Sequence, residues 1–270
     1  MTKRYKITRI LFLTVLSLFM VLVACTFYAV NRPGIIILMY HKIDHAKPEA
    51  KIKGLYVSPE KFERQILMLQ KFGYTFISYK DYLQNRNDPN YFEKKVMITL
   101  DDGYRDNYTK LFPIVKKYKI PVHIFMIIDA IGAEGYTKGG YKRENVPENM
   151  LTADQIKEMS DSGLVFFGSH CIDHIPVTKF TRKERIRQLT ESKIKLEALT
   201  GKPVDIFAFS IGFYDGESII DVGNSGYLMS FTTDEGRNFP DTGLLRLNRI
   251  GIAGWYSQLD ILKKIFVTAL

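Results

Sequence analysis

The stretch Val96-Met97-Ile98-Thr99-Leu100-Asp101-Asp102-Gly103-Tyr104 runs from β-branched and apolar residues straight into two adjacent carboxylates and a glycine. Such a run has the composition of a strand buried on both faces. Gly103 permits the turn by which the chain leaves it. Carboxylates this close raise one another's pKa unless a cation neutralises them. A metal ion would do so, holding one carboxylate as a ligand and leaving the other as a base. A second segment, Phe166-Phe167-Gly168-Ser169-His170-Cys171-Ile172-Asp173-His174, sets two of the chain's five histidines at i and i+4 behind another apolar run. That spacing lets both imidazoles face one ion, at about 2.0–2.1 Å for zinc. Two histidines and one carboxylate leave open positions, as catalytic zinc or iron sites require. A polar turn and a satisfied histidine would explain either segment alone; two such segments together favour a metal. Cys171 lies between the histidines, but a sequence neighbour of His170 points elsewhere, so it is not expected among the ligands.

In this order and at roughly this separation, Leu100-Asp101-Asp102-Gly103 and Ser169-His170 to His174 resemble the signature of the polysaccharide deacetylase family, the NodB-homology domain. Further pieces resemble its poly-β-1,6-N-acetylglucosamine N-deacetylase branch. These are Ile37-Leu38-Met39-Tyr40-His41-Lys42-Ile43, Val57-Ser58-Pro59-Glu60-Lys61-Phe62-Glu63, the third motif Phe207-Ala208-Phe209-Ser210-Ile211-Gly212, and the late strand Leu245-Arg246-Leu247-Asn248-Arg249-Ile250. The resemblance implies a divalent metal, zinc foremost, on Asp102, His170 and His174. It implies Asp101 as general base and a backbone N–H at Ile211 as oxyanion donor. The implied reaction is metal-dependent removal of N-acetyl groups from a cell-surface N-acetylglucosamine polymer, foremost poly-β-1,6-N-acetyl-D-glucosamine, a biofilm exopolysaccharide. Peptidoglycan or chitin-type chains, or O-acetyl esters, are alternatives for the same site. A non-catalytic glycan-binding protein is a third class, disfavoured because a pure binder needs no base beside a complete metal triad.

The chain departs from the family in three places. Ser210 and Ile211 stand where a proline and an aromatic are usual, which puts the rigidity of that loop in doubt. Ala208 stands where many relatives carry an arginine that orients the base. No histidine follows His174, so the group that protonates the leaving amine is unassigned; His41 is a candidate for an auxiliary role. Trp255 and Tyr256 could stack on a sugar or simply pack. Tyr136, Tyr141, Lys142 and Arg143 could rim a glycan groove or lie in a solvated loop. His45 and His123 read as structural or exposed, and Asp173 as a partner for an imidazole or a cap for its turn.

Lys3, Arg4, Lys6 and Arg9 precede an almost uninterrupted apolar run from Ile10 to Val30. About 20 apolar residues suffice to span a bilayer, with the basic flank inside. Residues 1–32 are therefore expected to be a signal or membrane anchor and 33–270 the catalytic domain. The protein would be single-pass at the cell membrane with the catalytic domain on its extracellular face. A cleaved signal peptide would instead leave it secreted, and the Leu22-Val23-Ala24-Cys25 box would leave it lipid-anchored at Cys25. Hydrophobic residues make up 46% of the chain, ample for one α/β core. Of the net charge of +9, four positive residues belong to the N-terminal flank. The mildly basic remainder has no Lys/Arg run interleaved with aromatics, which argues against nucleic acid as a partner. With Cys25 in the leader, Cys171 has no internal disulfide partner.

Behind the leader, strand-like and helix-like segments alternate, which implies a parallel sheet, open or closed into a barrel. His41, Asp101, Asp102, His170 and Ser210 all fall at the C-terminal ends of expected strands, where parallel α/β folds gather their sites. The family resemblance selects a distorted (β/α) barrel with fewer than eight regular strands.

Overall fold

The computed structural model describes residues 3–31, 34–137 and 147–267. In chain order the elements are α1 Lys3–Asn31, β1 Ile36–Tyr40, α2 Pro59–Lys71, β2 Thr75–Phe76, α3 Tyr79–Asn85, β3 Lys95–Asp102, α4 Phe112–Tyr118, β4 Val122–Met126, α5 Ala153–Asp161, β5 Val165–Ser169, α6 Arg182–Thr200, β6 Ile206–Ala208, α7 Gly216–Asn224, β7 Met229–Phe231, β8 Ile250–Gly251 and α8 Gln258–Val267. Local chemistry sets the helix starts. Ser58 caps α2 ahead of Pro59, and reciprocal capping boxes open α3 (Ser78 with Asp81), α5 (Thr152 with Gln155) and α6 (Thr181 with Glu184). Gly201 ends α6 in the left-handed conformation. Helix α7 was not expected; its box pairs Asp215 with Ser218, and Gly216 and Gly223 dilute its apolar signal.

Every strand ladder is parallel, in the order β7-β6-β5-β4-β3-β1-β8, with β2 paired to β3 off this path. β3 and β4 are the middle of the core: every residue of β4, and all of β3 after Lys95, is buried. Such doubly covered strands read as continuous apolar runs. The sheet curls into a half-barrel. Leu247 bridges Phe231 beyond β7, and Ile250 pairs with Leu38 of β1. The short segment 247–251 thus draws the two flanks of the sheet together.

The N-terminal segment is helical as α1, and its side chains from Ile10 to Val23 are exposed. The expected membrane span is not supported, however: among the described residues no helix is long and apolar enough to cross a membrane. The side chain of Cys25 lies outside the described residues, as do Tyr141, Lys142 and Arg143. Tyr136 forms an antiparallel bridge with Glu148 at the base of that loop.

Candidate active site

Adjacent residues of a regular strand point to opposite faces. β3 breaks that rule where it ends. Asp102 has φ 78° and Gly103 φ 79°, and both Asp101 and Asp102 act electrostatically on the His170 ring. Asp102, His170 and His174 are all buried, and one ligand atom from each lies within 4.8 Å of the others. His174 Nε2 is 3.4 Å and His170 Nε2 3.8 Å from Asp102 Oδ1. Neither separation is a good hydrogen bond. Both come near the edge of a tetrahedron, about 3.3 Å, drawn by ligands 2.0–2.1 Å from one ion. His170 Nδ1–H donates to the Ala208 carbonyl at 2.8 Å, which fixes the tautomer and turns Nε2 toward Asp102. Burial holds the His170 pKa below its ordinary value despite the two neighbouring carboxylates, so the ring stays in the neutral, ligating form. The donor set therefore fits a divalent ion. The Tyr104 hydroxyl hydrogen-bonds Asp102 and steadies it from a second side.

Asp101 has a different partner. Arg249, fully buried, clamps it with Nη1 at 2.6 Å from Oδ1 and Nη2 at 2.8 Å from Oδ2, while Nε donates to the Thr232 carbonyl at 2.7 Å. Burial alone would raise the Asp101 pKa, but the guanidinium outweighs it, with help from His170 and His41, and holds the carboxyl below its ordinary value. The residue expected as a base is thus ionised at neutral pH. The orienting arginine, missing at Ala208, enters from the segment that joins the sheet's flanks. An arginine in an otherwise alternating apolar run was the available signal.

The third motif is held by different atoms from those expected. Ser210 Oγ donates to the His170 carbonyl at 2.9 Å, tying the loop to the metal-ligand segment in place of a rigid proline. Ile211 has φ 61°, costly for a β-branched residue. A left-handed residue within a short turn makes neighbouring N–H groups converge. Gly212 follows with φ 80°, and a Cβ there would fall 1.9 Å from Thr233 Oγ1. Of the six described non-glycine residues with positive φ, four are Asp102, Cys171, His174 and Ile211. Backbone strain is concentrated at this one place, as it is at functional sites. Burial pushes the Cys171 thiol up to about 12, and the converging ligand atoms are those of Asp102, His170 and His174.

His41 follows β1, its carbonyl accepts from Asn107 Nδ2 at 3.1 Å, and its ring acts on Asp101. Asp173 caps its own turn, accepting from Ile175 N at 3.0 Å and Gln188 Nε2 at 2.7 Å. His123 is structural and buried: Nδ1–H donates to the Ile98 carbonyl at 2.8 Å and Nε2 accepts from Tyr79 N at 2.9 Å. His45 lies at the surface near Glu60. Trp255 is exposed, whereas Tyr256 packs against the core with the Lys264 ammonium over its ring. Besides Arg249, a further buried cation was not foreseen. Lys42 Nζ bonds Tyr56 Oη at 2.8 Å and Glu148 Oε1 at 2.9 Å, and lies 4.5 Å from the centre of the Tyr104 ring. Arg105 N and Leu151 N bond across between 103–105 and 149–151, so residues 148–151 lie beside the chain leaving β3.

The polysaccharide deacetylase family model matches residues 88–229. YxkH of Bacillus subtilis is 31% identical over 218 residues, which are 80% of this chain and 71% of that protein. The poly-β-1,6-N-acetyl-D-glucosamine N-deacetylase of Staphylococcus epidermidis is 25% identical over 231 residues, 79% of this chain and 77% of that protein. A crystal structure of a polysaccharide deacetylase from Bacillus cereus superimposes with a TM-score of 0.73 at 30% identity, covering 86% of this chain and 69% of that one. The Streptococcus pyogenes deacetylase PplD, solved with acetate, gives a TM-score of 0.72 at 27% identity over 86% of this chain and 98% of that one.

Proposed function

Because the chain belongs to the polysaccharide deacetylase family, we propose that it removes N-acetyl groups from a cell-surface N-acetylglucosamine polymer, foremost poly-β-1,6-N-acetyl-D-glucosamine. The observation that carries this reading is the buried Asp102–His170–His174 set beside an arginine-clamped Asp101. A divalent ion held there, zinc by the choice of donors, would polarise the acetyl carbonyl and lower the pKa of water toward about 7. Asp101, kept ionised by Arg249, takes the proton of the attacking water. The backbone N–H of Ile211, aimed by Gly212 and Ser210, stabilises the oxyanion of the tetrahedral state. His41, whose ring acts on Asp101, takes an auxiliary part in proton transfer. Poly-β-1,6-linked substrate is favoured by the relatives of that name. For location we propose that the catalytic domain is exported, the apolar run from Ile10 to Val30 behind a basic flank being the feature in favour.

The test is acetate release by the full chain from a β-1,6-linked N-acetylglucosamine oligomer, with zinc, with a chelator, and as Asp101→Asn. Release that needs the metal and is lost in the variant supports the reading. Release from a chitin-type oligomer or peptidoglycan instead moves the substrate and keeps the chemistry. No release from any of them, with no metal retained, overturns it.

A further inference from the structure

We infer that the groove floored by Trp255 is a subsite that stacks one acetylated sugar ring of the glycan beside the reacting residue; the inference rests on the deacetylase reading above. Trp255 follows β8, and β8 lies two strands from β3 in the order β3-β1-β8, so the strand axes are about 10 Å apart. The groove opens on the same C-terminal rim as the metal ligands, between the chain leaving β1 and the chain leaving β8. Asp44, His45, Lys53, Ser58, Lys61 and Trp255 line it.

The indole is 67% exposed, yet it is held. Its six-membered ring lies against Gly54, where a Cβ would fall 2.7 Å from Cη2 and 2.8 Å from Cζ3. Gly254 N donates to the Gly54 carbonyl at 3.0 Å, and a Cβ on Gly254 would fall 1.9 Å from the Tyr56 carbonyl oxygen. Lys61 Nζ donates to the Gly254 carbonyl. Two glycines and one lysine thus lock the loop that carries the ring. Tyr256 meets Trp255 edge-on at 90°, with ring centres 6.2 Å apart, and supports it from the side. An exposed aromatic fixed in advance loses little entropy on binding. An indole face ringed by charged and hydroxyl groups matches a pyranose, apolar on its C–H face and polar around its edge. Asp44 is engaged by Lys110, and His45 lies 3.4 Å from Glu60. Lys53 and Lys61 therefore leave the groove cationic, which disfavours a deacetylated, positively charged glucosamine unit. The subsite would hold substrate and release product.

Trp255 is the chain's single tryptophan, so its emission reports this groove alone. The full chain as Asp101→Asn, which stops turnover, is titrated with a fully acetylated β-1,6-linked hexamer and with the fully deacetylated hexamer. A saturable emission change with the first, and binding weaker by about tenfold with the second, is expected. In the active protein, Trp255→Ala should lower the ratio of kcat/KM on hexamer to that on dimer by about tenfold, and Trp255→Phe by less. Acetate release without an emission change, or an unchanged ratio in Trp255→Ala, overturns the subsite and leaves the deacetylase standing. An emission change with no release by the wild type supports the subsite and overturns the deacetylase. Neither signal overturns both.

Discussion

Arg249 and Asp101 stand 148 residues apart in the chain and meet through two short, parallel hydrogen bonds in a buried setting. Removing one member of such a pair leaves the other charge buried without a counter-ion, at a cost of about 3–5 kcal/mol. Arg249→Met should therefore lower the urea-unfolding free energy of the chelator-treated protein by about that much, and deacetylation by about 100-fold or more. Arg249→Lys restores a charge but not the planar fork, and should recover stability better than rate; equal behaviour of the two variants would show that the clamp is not what holds Asp101. The metal donors were legible in the sequence because their signals are local: adjacency at Asp101 and Asp102, an i, i+4 step at His170 and His174. Arg249 was not, because its partner lies on a strand that only the folded sheet brings near. Ser210 looked like a weakness for the same reason, since its hydroxyl acts through the His170 carbonyl, 40 residues away.

At the scale of elements, His123 joins three of them: it stands on β4, donates to β3 at Ile98, and accepts from the first residue of α3. Burial holds its pKa down to about 4, against about 6.5 in the unfolded chain. Both states are neutral above pH 6.5, so there the group adds nothing to the pH dependence. Between pH 6.5 and 4 only the unfolded chain binds the proton, and stability falls with falling pH by on the order of 3 kcal/mol. Urea unfolding at pH 7, 5.5 and 4.5 should show this slope, and His123→Gln, less stable at pH 7, should be flatter across the window. A slope that survives the substitution would assign it to other groups. Helix starts were readable because a cap is a local bond between a side chain and the turn beside it. The short strands were not: β8 has two residues, and its boundaries are set by its pairing with β1 and by the Leu247 bridge to Phe231. The family resemblance supplied a barrel, and the pairing gives a curled half-barrel whose flanks meet through one segment.

For the molecule as a whole, an ion on Asp102, His170 and His174 would join the ends of β3 and β5 across the intervening β4. A ligand that binds only the folded state stabilises it by about 4 kcal/mol at a thousandfold excess over Kd. For a chain of this size that is a rise in Tm of about 10 °C. Scanning calorimetry with zinc and with a chelator should show the difference, and Asp102→Ala should abolish it. A wild-type Tm indifferent to zinc would mean that the triad does not close on a metal.

The contact between the fully buried Lys42 and the part-exposed Glu148 carries a consequence for the history of the fold. Replacing both partners with apolar side chains of similar volume is often neutral, whereas replacing Glu148 alone takes the carboxylate from a buried Lys42 charge; replacing Lys42 alone leaves Glu148 its pairing with Lys47. A lineage that changes Glu148 first passes through an unstable intermediate, whereas one that changes Lys42 first does not, since Lys47 still meets the carboxylate. An acidic residue at 148 should thus be kept wherever 42 is lysine, held by the difficulty of the route away from it rather than by any advantage over what lies beyond.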